Sequence, residues 1–140
     1  MSGPILSAWV PSGMSERHPE RLTRDHRLRL AADFAALKQA GTPFRGPLCL
    51  LVALSRPGEP TRVGFVASKR GVGGAPSRNR ARRRLREIVR RRWPRLPHAG
   101  YLLMFVASRT TLTASHQDLA GEVERLLASA GALRPLGRGH

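Results

Sequence analysis

The sequence predicts an α/β fold, a single sheet with helices packed on it, and three observations carry that expectation. Two apolar runs, "PLCLLVALS" (Pro47–Ser55) and "YLLMFVAS" (Tyr101–Ser108), are too continuous for surface strands and read as buried ones. Two other segments, around Ala81–Val89 and Leu119–Ala130, repeat their apolar residues at helical spacing. Elements of the two kinds alternate along the chain, and a sheet covered by helices buries both.

In chain order, residues 1–21 are rich in Pro, Gly and Ser without periodicity and are expected to be a disordered extension. A short helix follows from about Leu30 to Ala40, with Leu30, Phe34 and Leu37 on one face and Gly41 as its C′ residue. The Pro47–Ser55 run is a strand, and the turn-rich "SRPGEPT" after it reads as a hairpin loop. "RVGFVAS" (Arg62–Ser68) is a second strand with Val63, Phe65 and Ala67 on one face, and "GVGGAP" breaks the chain. A basic helix runs from about Ser77 to Trp93 and stops at Pro94. After the Tyr101–Ser108 strand, a last helix opens at Ser115. Asp118 stands three residues on, a capping-box variant, and Gly131 closes the helix. The segment 132–140 is expected to be a flexible tail, leaving residues 22–131 as one folded domain.

The formal net charge is +16 over 140 residues, and all but Lys38 and Lys69 of the 25 basic residues are arginine. Charge of that size opposes folding by self-repulsion unless a polyanion neutralises it. Nucleic acid suits the role better than a membrane surface, because the apolar residues are needed for a core. No run approaches the 18 apolar residues of a membrane span. The short apolar patch Ile5–Val10 lacks the basic flank of a signal peptide. Cys49, the sole cysteine, lies in an apolar run as an inert thiol, so the expected location is the reducing cytoplasm.

The basic helix is where the charge concentrates. Ten of the residues from Arg78 to Arg95 are arginine, against the single carboxylate Glu87. On a helical wheel Ala81, Leu85, Ile88 and Val89 form a narrow stripe with Trp93 at its edge, and the stripe anchors the helix on the sheet. Arg80, Arg82, Arg83, Arg84, Arg86, Arg90 and Arg91 fill the remaining arc. Arg78 and Arg92 fall on the apolar side but at the two ends, where they can splay outward. A merely solvated face normally mixes signs. Here Arg80–Arg84 and Arg82–Arg86 are like-charge pairs at i,i+4, each unfavourable by a few tenths of a kcal/mol. Such a face is suited to docking, since the planar guanidinium meets phosphate in a bidentate way and stacks on bases. The glycines at 71, 73 and 74 would let backbone approach a ligand at the helix N-terminus. A glycine-rich loop by itself is equally consistent with a plain turn.

Catalytic groupings are not legible. The five histidines are scattered, the carboxylates are dispersed, and no Ser-His-Asp or Cys-His arrangement is found. The residues therefore describe a nucleic-acid-binding protein without its own catalytic apparatus. A ribosome-associated RNA-binding module, a protein-only nuclease and a nucleoid-type DNA binder are the rival readings. The lack of clustered acids speaks against the nuclease, and the lack of a groove-reading dimer pattern against the DNA binder.

The segment "RNRARRRLRE" (Arg78–Glu87) resembles the signature of the protein component of bacterial ribonuclease P. It follows "VGFVASKR" (Val63–Arg70) and "VGGAPSRNR" (Val72–Arg80), in the family's order, and "RLRLAADF" (Arg27–Phe34) resembles the family's N-terminal segment. The resemblance spans about residues 22–131. It implies a small two-layer α/β sandwich with a mixed central sheet, about three helices and a left-handed βαβ crossover through the basic helix. It implies binding to a catalytic RNA through Lys69, Arg70, Arg78, Asn79, Arg80, Arg82, Arg83 and Arg86. It also implies contact with the 5′ leader of precursor tRNA through Phe34, Arg27 and Arg29, although Phe34 equally suits the core. The chemistry would be RNA-catalysed hydrolysis at the tRNA 5′ end, with Mg²⁺ held chiefly by RNA and no further protein partner. Two positions depart from the family pattern: Lys38 stands where a second aromatic often sits, and Ala31 where a capping residue is common.

Overall fold

A computed structural model describes residues 31–133 of the chain. The N-terminal extension, Arg27, Arg29 and Leu30 lie outside the described residues, as does the segment 134–140. The elements are α1 (Ala31–Ala40), β1 (Thr42–Arg45), β2 (Cys49–Pro60), β3 (Arg62–Val66), α2 (Ala75–Arg92) with a 3-10 turn at Trp93–Arg95, β4 (Ala99–Ala107), α3 (Arg109–Thr113) and α4 (His116–Ser129). This is the expected α/β architecture, with four α-helices among the described residues where about three were expected.

The four strands form one mixed sheet in the order β1-β2-β4-β3, antiparallel between β1 and β2 and between β2 and β4, parallel between β3 and β4. The expected hairpin between the second and third of these strands is therefore not formed. Strand β2 continues through the proline-rich stretch to Pro60, with a register shift between Arg56 and Pro60, and β4 lies between β2 and β3. The reason is burial. Leu102, Leu103, Met104 and Phe105 are buried in succession, so β4 needs cover on both faces and a partner on both edges. Strand β1 was not legible in the sequence. It is four residues long, carries Pro43 and occupies an edge, where a missing N–H donor is tolerated.

Alternation along the strands divides the core in two. Leu51, Val63, Leu103 and Phe105 face the larger cluster, which contains Ala81, Leu85, Ile88, Val89 and Trp93 from α2 and its turn, and Leu119, Val123, Leu126 and Leu127 from α4. Leu102 and Met104 face the other way and meet Leu37 of α1, with Phe34, Val52, Leu54, Val66 and Val106 packed half-buried around them. Helices α2 and α4 thus form the main second layer, and α1 covers part of the opposite face. The predicted stripe of the basic helix is entirely buried, Trp93 included.

Three details correct the sequence reading. Gly41 follows α1 as expected, and its amide donates to Leu37 O at 2.9 Å. Its backbone is not left-handed, however. Glycine is needed because a Cβ there would lie 2.5 Å from both Leu37 O and a Val52 methyl. Helix α2 starts at Ala75, two residues earlier than read, because Pro76 falls in the first turn, where no amide donor is required. Ala132, placed in the tail, is buried, its amide donates to Leu127 O at 2.9 Å, and Leu133 packs on the core.

Candidate nucleic-acid interface

Helix α2 contains two kinds of arginine, and the side chains around them separate the two. In its C-terminal half, Arg90 and Arg91 both engage Glu87, with Arg90 Nε 3.1 Å from Oε1 and Arg91 Nε 3.6 Å from Oε2. Arg92 Nε donates to Glu124 Oε2 at 2.8 Å and Nη1 to Ile88 O at 3.1 Å. Arg95 Nη1 lies 3.5 Å from the same Glu124 oxygen. Arg92 therefore does not splay outward as expected but is drawn onto α4. Hydrogen bonds from Arg90 hold the Glu87 carboxyl below its ordinary value, so it stays ionised as the counter-charge for this end.

The N-terminal half is different. Arg80 and Arg83 are exposed, Arg82 is half-buried, and none of the three reaches a carboxylate among the described residues. Asn79 is exposed, and its Oδ1 accepts from Arg82 Nη2 at 2.5 Å, so its amide NH₂ remains a donor on the surface. Arg86 is exposed and its guanidinium lies 5.7 Å above the Phe65 ring, a cation–π contact that holds it over the β3 edge. Phe65 in turn stacks on Phe105 at 6.0 Å between centroids. Arg78 is half-buried, and its Nε has no partner among the described residues.

Lys69 and Arg70 are exposed at the end of β3 and lead into the glycine loop. The loop is a tight turn: Ser68 Oγ accepts from the Gly71 amide at 2.8 Å, and Gly73 adopts φ +134°, a conformation side chains rarely reach. It delivers the chain to an α2 N-terminus at Gly74 that has no side-chain cap. Lys69, Arg70, Arg80 and Arg83 are thus exposed without a carboxylate partner among the described residues, whereas Arg90, Arg91, Arg92 and Arg95 pair with Glu87 or Glu124. Phe34 sits across the sheet from α2, half-buried on the second cluster.

Two arrangements were missed by sequence reasoning. Arg84, read as part of the open arc, donates to three carbonyls, Thr111 O, Leu112 O and Ala114 O, and so caps the end of α3. No sequence signal marks it. Glu122 is buried and accepts from the amides of Leu48 and Cys49, each at 2.8 Å, while Arg125 donates to its other oxygen at 3.1 Å. Here a signal was available, because Glu122 falls inside the apolar stripe of α4, three residues after Leu119 and four before Leu126.

The carboxylates do not make a metal centre. Asp33, Glu59, Glu87, Glu122 and Glu124 each pair with arginine, and the described residues contain no group of three or more His, Cys, Asp or Glu with metal-ligand placement. These side chains do not fit a Mg²⁺ ion held by the protein. No helix among the described residues is long and apolar enough to cross a membrane.

A profile of the Ribonuclease P family matches residues 22–131, which takes in β3, the glycine loop and the whole of α2. This chain belongs to the ribonuclease P protein family. The ribonuclease P protein component of Chloroflexus aurantiacus is 39% identical over 110 residues, covering 78% of this chain and 80% of that one. That of a Synechococcus species is 39% identical over 116 residues, covering 80% and 86%. The fold agrees as well. The Staphylococcus aureus RNase P protein superposes with a TM-score of 0.67 at 18% identity, covering 78% of this chain and 98% of that one. The ribonuclease P protein component is one part of an endoribonuclease holoenzyme, and the chemistry resides in the RNA.

Proposed function

We propose that the N-terminal half of α2, with Lys69 and Arg70, grips the catalytic RNA of ribonuclease P, and that the opposite face of the sheet meets the 5′ leader of precursor tRNA. One observation carries the first part. Arg80, Arg82 and Arg83 stand together without a described carboxylate, in a protein that neutralises the arginines at the other end of the same helix. Arg78, Asn79 and Arg86 extend that surface, and Asn79 supplies a donor and an acceptor where arginine supplies donors alone. Six or so phosphate contacts would make affinity fall on the order of a thousandfold between 50 and 200 mM salt.

For the leader, Phe34 keeps part of its ring exposed while packing near Leu37 and Leu102, which allows it to serve the core and to stack on a base. Arg27 and Arg29 join it through the family resemblance. The same resemblance supplies the left-handed crossover of β3, α2 and β4, the domain limits of 22–131 and Mg²⁺ held on the RNA, while the sole cysteine, Cys49, a free buried thiol, supports a cytoplasmic location.

The test is reconstitution. Purified protein added to the catalytic RNA and precursor tRNA, at low Mg²⁺ and near-physiological salt, is expected to give correct 5′ cleavage that needs both components. Cleavage without the RNA, or no stimulation by the protein, overturns the reading.

A further inference from the structure

A cleft of about 330 Å³ opens beside α2, lined by Arg80, Arg83, Arg84, Glu87 and His116. Four of these residues belong to the basic helix, which forms one wall, and the fifth is the first residue of α4, which forms the other. Arg80 and Arg83 are exposed and reach no carboxylate among the described residues. Arg84 adds positive charge while its N–H groups are held by the α3 carbonyls. That hold also fixes Ala114, two residues before His116, so the far wall is braced against α2 before any ligand arrives. The positive end of the α4 dipole lies at the same wall. The one opposing charge, Glu87, is already matched by Arg90 and Arg91.

We propose that this cleft seats one backbone phosphate of the RNA held by α2, with His116 as the donor from the second wall. An imidazole N–H donates to a phosphate oxygen whether the ring is neutral or charged. Arg80 and Arg83 complete the seat from the first wall. The RNA footprint then extends beyond the helix that carries the family signature, onto α4, and a phosphate clamped between two elements fixes the position of the RNA along α2. This rests on the reading of α2 as an RNA-binding helix.

The experiment measures binding of the full-length protein to ribonuclease P RNA at several salt concentrations. The variants are His116→Ala, Arg83→Gln, the two combined, and the joint replacement of Arg78, Asn79 and Arg80 by Ala. His116 and Arg83 are both exposed, and thermal melts verify that each variant folds. His116→Ala is expected to weaken binding by about three- to tenfold, the loss of one charge-assisted hydrogen bond. The combined variant is expected to lose less than the product of the two single losses, because both side chains act on one phosphate. A His116→Ala protein that binds like the wild type, or losses that multiply independently, overturns the seat while leaving the role of α2 intact. If the joint Arg78, Asn79 and Arg80 variant also binds like the wild type, the reading of α2 falls and the seat falls with it.

Discussion

Arg84 of α2 donates from Nη2 to the carbonyl of Ala114 at 2.8 Å, and so an arginine in the middle of the basic face is a fastener of the fold. Its Nη1 bonds Thr111 O and Leu112 O at 2.6 and 2.9 Å. Hydrogen bonds to a charged donor contribute about 1.5–3 kcal/mol each when partly buried, and the three share one side chain. Arg84→Ala is therefore expected to destabilise the domain by about 2–4 kcal/mol in urea titrations. Arg84→Lys should recover little, since an ammonium lacks the planar fork. Its neighbour Arg83 is exposed, and Arg83→Ala should change stability by no more than about 0.5 kcal/mol while weakening RNA binding.

Replacing Arg78, Asn79 and Arg80 together with Ala should leave the circular dichroism spectrum helical and weaken RNA association. Loss of two phosphate-binding cations should also lower the slope of log affinity against log salt by about two. An unfolded variant would mean that this end of α2 is scaffold.

Glu122 ties α4 to the start of β2, and its removal leaves two amides without acceptors. Glu122→Ala is expected to cost about 2–6 kcal/mol, from an unsatisfied buried donor penalty of about 1–3 kcal/mol for each amide. Glu122→Gln keeps one acceptor oxygen and should lose less. Chemical denaturation of both variants, with the m-value held constant, distinguishes the two.

Burial pushes the Cys49 thiol up to about 12, with the nearby Glu122 carboxylate adding to the effect. The thiolate is the reactive form, so Cys49 is expected to resist a disulfide reagent at pH 8 in the native protein and to react fully in denaturant. The sign for stability follows from the raised value. The neutral thiol favours the fold fully below pH 9, and that contribution is lost as pH rises from 9 toward 12. Rapid native-state labelling at pH 8 would contradict the buried position.

Much of the candidate interface was legible in the sequence. The four-residue apolar stripe at Ala81, Leu85, Ile88 and Val89 is a local property of an α-helix, and every member is buried as the period required. The signature residues around Asn79 lie consecutively, so their proximity needed no folding. The Ser115 cap also belonged to the sequence, and its Oγ accepts from the Asp118 amide at 3.0 Å as the spacing implies.

What escaped the sequence is non-local. Strand order depends on which run most needs burial on both sides, and β4 took the place between β2 and β3 that a hairpin reading left out. The division of the arginines depends on partners 27 to 32 residues away: Arg84 on the α3 carbonyls and Arg92 on Glu124. Composition and helical period alone determined that this chain carries a basic helix seated on an apolar stripe. Only the tertiary structure decided which guanidiniums remain open to an anion, because charges are neutralised by whatever the fold brings within a few ångströms, and the order of residues along a helix does not record that.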